Sequence, residues 1–75
     1  MDQPTINLDP LFAKVALFNM AAQTFPDGEI ELLITVMEQQ LRELPFKDLS
    51  LAAPLNAQRL RGNLRIVRKF LEYKR

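Results

Sequence analysis

The sequence predicts an all-α fold: a three-helix up-down-up bundle completed by dimerisation. Three observations support this. Apolar residues recur at helical spacing in three segments. Prolines and a Pro-Asp-Gly turn signal punctuate those segments. The apolar fraction, 48%, is high for a chain of 75 residues, with thirteen leucines and five phenylalanines. A single domain of that length buries only about 60–65% of the surface its unfolded chain exposes. There is no cysteine for a disulfide and no histidine or cysteine for a structural zinc. A regular helical core or self-association is the remaining route to stability.

Residues 1–8 read as an extended arm, with Ile6 and Leu8 able to pack onto the body. The first helix is expected over about 10–24. Asp9 is placed to cap it, and Pro10 suits the first helical position because its missing N–H has no partner there. Phe25 precedes Pro26, which pushes it out of helical geometry and ends the helix. Leu11, Val15, Phe18 and Ala22 share one face, while Phe12, Ala13, Ala16, Leu17 and Met20 cover most of the rest. A helix apolar nearly all round is normally buried on more than one side.

The second helix is expected over about 27–44, closed by Pro45. Asp27, Glu29 and Glu31 complement the positive end of its dipole. Ile30, Leu33, Ile34, Met37, Leu41 and Leu44 make its apolar stripe, and Glu38 and Arg42 stand four apart in the favourable order. Leu32 and Val36 form a smaller apolar spot on the far side. Residues 45–56 carry Phe46, Leu49, Leu51 and Leu55, so this connector is expected to lie across the core, with a helical turn after Asp48 or Ser50. The third helix is expected over about 55–73. Its stripe of Ala57, Leu60, Leu64, Val67 and Leu71, widened by Ile66 and Phe70, keeps phase across Gly62, which favours one helix over two.

Charge divides the chain. Residues 1–58 carry three basic and eight acidic side chains, whereas residues 59–75 carry seven basic and one acidic. Such asymmetry points to an anionic partner or to a solvated helix face. Arg61, Arg65, Arg68, Lys69, Lys74 and Arg75 are the residues expected to make that contact.

Catalysis is not expected. There is no histidine or cysteine, the only serine is Ser50, and two glycines cannot build a phosphate-cradling loop. No metal, cofactor or catalytic residue is predicted. The start Met1-Asp2-Gln3-Pro4 lacks the basic region and apolar run of a secretory signal, and the longest near-apolar stretch is too short to span a bilayer. The expected location is cytoplasmic.

The expected function is that of a small regulatory or adaptor protein working through protein–protein contact as a homodimer, with a larger protein as its partner. Phe12, Ala16, Leu17, Met20, Leu32 and Val36 are its predicted interface residues. The alternative is a small dimeric nucleic-acid-binding protein using the basic C-terminal helix.

Overall fold

The computed structural model describes residues 5–74. In chain order it has α1 (Asp9–Met20), a 3-10 turn (Ala22–Thr24), α2 (Asp27–Lys47) and α3 (Ala53–Lys74), with no strand among the described residues. Residues 1–4 of the expected arm, and Arg75, lie outside that span.

Side-chain pairs fix the helix directions. Lys74 Nζ lies 2.8 Å from Asp27 Oδ1, and Arg68 pairs with Glu38. The end of α3 therefore meets the start of α2, and the two run antiparallel. Arg59 stacks on Phe12, and Phe70 meets Phe18 edge-on, so α1 follows α3 in direction. α2 and α3 form the main packing pair, with α1 along one flank.

The core draws on all three helices. Phe12, Val15 and Phe18 from α1 meet Ile30, Leu33, Met37 and Leu44 from α2. Leu60, Leu64, Val67 and Leu71 from α3 close it, and Leu8 of the arm adds to one end. Ile6 is half-buried beside it. Phe18 is sealed within, edge-on to Phe25 (centroids 5.6 Å, 83°) and to Phe70 (5.4 Å, 84°).

Several expectations need correction. Asp9 is not the cap of α1. It lies inside the helix after Leu8, and its own amide donates to Asn7 Oδ1 at 3.0 Å. Asn7, with its short side chain, organises the helix start instead. The α-helix also ends at Met20, four residues early. Ala21 leaves helical geometry, and the 3-10 turn that follows swings Phe25 back against Phe18.

Pro45 does not close α2, which continues to Lys47. Proline forfeits a bond only to the carbonyl four residues back, and this position lies in the last turn. Asp48 N still reaches Leu44 O at 3.0 Å, so the end remains closed.

The connector is the largest departure. α2 runs three residues beyond expectation and α3 begins two earlier, leaving only residues 48–52 between them. A link that short cannot double back over the bundle. Leu49 and Leu51 (fully exposed) in the link consequently face outward, and Phe46 (83% exposed) at the end of α2 and Leu55 at the start of α3 are exposed beside them. Glu38 pairs with Arg68 across the helices rather than with Arg42 along its own. Gly62 sits within an unbroken α3.

Asp48 holds this corner together. Its carboxylate is buried and accepts hydrogen bonds from Ser50 Oγ (2.6 Å), Ser50 N (2.9 Å) and Ile6 N (3.2 Å). It ties the N-terminal arm to the α2–α3 turn. The Ser50 hydroxyl, then the Ser50 amide and the Ile6 amide, hold its carboxyl below the usual aspartate value, against an opposing effect of burial.

Candidate interaction surfaces

The predicted interface residues separate into three places. Phe12 belongs to the core, at 9% exposure, because α1 turns it toward α3, where the Arg59 guanidinium covers its ring at 3.8 Å. It offers no free surface. Ala16, Leu17 and Met20 are exposed on α1, with Met20 84% exposed. Ala13 joins them there. Small alanines beside larger apolar residues would let another helix approach closely.

Leu32 and Val36 line a cleft of about 410 Å³ between α1 and α2, with Leu11 and Leu33 as apolar walls and Lys14 and Glu29 among its polar lining. The Gln40 side chain also lines it, and its Oε1 is buried without a hydrogen-bond partner among the described residues.

The basic residues also separate. Lys74 is tied down, donating to Phe25 O at 2.8 Å and pairing with Asp27, so it serves the bundle end. Arg68 is paired with Glu38. Arg61, Arg65 and Lys69 are exposed, and among the described residues none has an ion-pair partner. With Arg42 they edge a groove of about 610 Å³ between α2 and α3, over Leu41 and Leu64. Arg42 is not among the contacts expected from sequence. Its place beside the basic face depends on how α2 lies against α3, which the spacing within one helix does not reveal.

The outward corner is a surface that sequence spacing does not disclose. Phe46, Leu49, Leu51 and Leu55 fall within ten residues, and a cluster of that composition in sequence looks like core. Lys47 beside them is bonded to Glu43 at 3.2 Å, and Lys47 and then Gln39 hold the Glu43 carboxyl below its usual value.

Among the described residues, no group of three or more His, Cys, Asp or Glu side chains is placed to hold a metal ion. No helix among them is long and apolar enough to cross a membrane. In comparisons with known proteins, no family model, curated protein or solved structure matches the chain.

Proposed function

We propose that this chain is a small, non-catalytic regulatory or adaptor protein that works through protein–protein contact and associates as a homodimer. The observation that carries the reading is the apolar surface left outside the three-helix body. It includes Leu17 and Met20 on α1 and Phe46, Leu49, Leu51 and Leu55 at the α2–α3 corner. Single exposed leucines are ordinary, but clustered ones mark contact surfaces in soluble proteins. The dimer contact is assigned to the exposed apolar face of α1, which would meet its own copy across a two-fold axis. The corner then remains for a larger partner.

Nucleic-acid binding is the second reading, favoured by the row of Arg61, Arg65, Arg68 and Lys69 along α3. It is weakened by Glu38 and Glu72 on the same side, which would face the phosphates.

Native mass by light scattering, over a range of protein concentration and salt, tests the proposal. The wild-type chain is expected at twice its 8.7 kDa mass and Leu17→Glu at that mass, with unchanged helical circular dichroism. A wild-type monomer at every concentration would remove the homodimer. Unfolding of Leu17→Glu would show that α1 serves the core alone. Uptake of a mixed-sequence DNA duplex, lost as salt rises, would favour the second reading.

A further inference from the structure

Two antiparallel helices packed side by side leave a furrow on each flank. In this bundle α1 occupies one. On α3, Arg59 and Phe70 face it; on α2, Leu32, Leu33 and Val36 do. The other furrow is open. Its floor holds Leu41 and Leu64, and past Arg68 and Glu72 it continues over Ile34 and Leu71. Leu64 and Leu71 are buried, and Ile34 and Leu41 are half-buried. The floor is thus apolar along both segments, about 610 and 400 Å³ in volume.

The edges of the first segment are cationic, while Glu31 and Glu72 line the second. Arg61, Arg65 and Lys69 stand four apart along α3, and Arg42 faces them from α2. Arg68 is paired with Glu38, and among the described residues Glu72 is the one carboxylate lining the first segment. Exposed cations on both sides of an apolar floor, none with an ion-pair partner among the described residues, have a specific complement. A helix with a leucine-type stripe would seat that stripe on Leu41 and Leu64, at the 8–10 Å axial separation of packed helices. Carboxylates flanking the stripe would then reach the arginines, which present planar donors suited to them. A nucleic-acid backbone matches less well, since it makes no use of the apolar floor.

We propose that the open α2–α3 furrow receives an acidic amphipathic helix of a partner protein, which takes the place of a fourth helix. The inference rests on the protein-contact reading above and specifies the partner's chemistry. It does not depend on the homodimer. Because the cations are exposed, binding weakens as salt rises.

The test is a fluorescence-anisotropy titration of the full chain against a labelled peptide of about 18 residues, or five turns. The peptide carries leucine at helical spacing and glutamate flanking it. A scrambled peptide of the same composition and a mixed-sequence DNA duplex are titrated beside it. Saturable binding of the amphipathic peptide is expected, weakened by about tenfold or more by scrambling. Arg61→Glu/Arg65→Glu should weaken it by at least as much, with unchanged helical circular dichroism. If that variant loses helix, Arg61→Ala/Arg65→Ala takes its place. Leu17→Glu should bind as the wild type does even where it abolishes the dimer, which separates this inference from the dimer reading. Equal binding of the two peptides, tighter binding of the duplex, indifference to charge reversal, or absence of binding at low salt would each overturn it.

Discussion

Replacing Phe18 with leucine should cost more stability than the same change at Phe25 or Phe70. Phe18 is the central ring of three and makes edge-to-face contacts with both others. Each such contact contributes about 0.5–1.5 kcal/mol beyond area burial. Leucine keeps much of the apolar volume but loses both contacts, so Phe18→Leu should cost about 2–3 kcal/mol once imperfect refilling is included. Phe25→Leu and Phe70→Leu each lose one contact from a half-buried position and should cost about 1 kcal/mol. A chain of this length has a total stability of roughly 4–11 kcal/mol, so the first loss is a large part of it. It should lower Tm by about 10–20 °C. Urea unfolding followed by circular dichroism, repeated at several protein concentrations, measures each variant. A Phe18/Phe70 double-mutant cycle isolates the pair, with an expected coupling of about 1 kcal/mol. Equal costs for the three substitutions, or a coupling below about 0.3 kcal/mol, would refute a core organised around the Phe18 ring.

Gly62→Ala should stabilise the chain by about 0.5–1 kcal/mol, read as a rise in Tm, because an added Cβ meets nothing within 4 Å and alanine suits a helix interior better. A fall in Tm would mean that Gly62 is needed for a close approach absent from this monomer. Asp48 predicts an acid limb. Its native pKa is depressed, so its contribution is present above the unfolded value of about 4 and is lost as pH falls through the lower native value. Asp48→Asn should lower Tm at pH 7 and flatten that limb, and an unaltered acid limb would show that the clasp does not contribute. Arg68→Ala should cost no more than about 1 kcal/mol, because its pair with Glu38 is substantially exposed and screened by water. A larger loss in thermal unfolding would mean that the pair organises the α2–α3 packing.

Much of the fold is legible from spacing within single helices. Of the expected stripes, Ile30, Leu33, Met37, Leu44, Leu60, Leu64, Val67 and Leu71 are buried, Ile34, Leu41, Ala57 and Phe70 are half-buried at their margins, and Ile66 is exposed. Leu8 and Ile6 pack as the arm's apolar pattern suggests. The continuity of α3 across Gly62 follows from the phase of its stripe. The basic row Arg61, Arg65, Arg68 and Lys69 is likewise legible as one face, because residues three and four apart are neighbours on a helix surface. Composition read without link length misleads. Phe46, Leu49, Leu51 and Leu55 look like core residues, yet a five-residue link cannot carry Leu49 and Leu51 inward, and Phe46 and Leu55 are exposed on the helix ends it joins. Phe12 looks like surplus on a crowded helix, yet the rotation of α1 about its axis sets it under Arg59.

The sequence by itself determined the helical class, the register of the buried stripes of α2 and α3 and the concentration of positive charge near the C-terminal end. These follow from local periodicity and from side-chain charge, which each helix carries wherever it docks. Only the tertiary structure decided that Asp48 clasps the arm to the α2–α3 turn, and that Arg42 and Leu41 complete a furrow with Arg61 and Leu64. It also decided which apolar residues were left outside. Those outcomes depend on where helix ends fall and how helices lie against one another. A proline tolerated in a last turn, and a link of five residues, set both here.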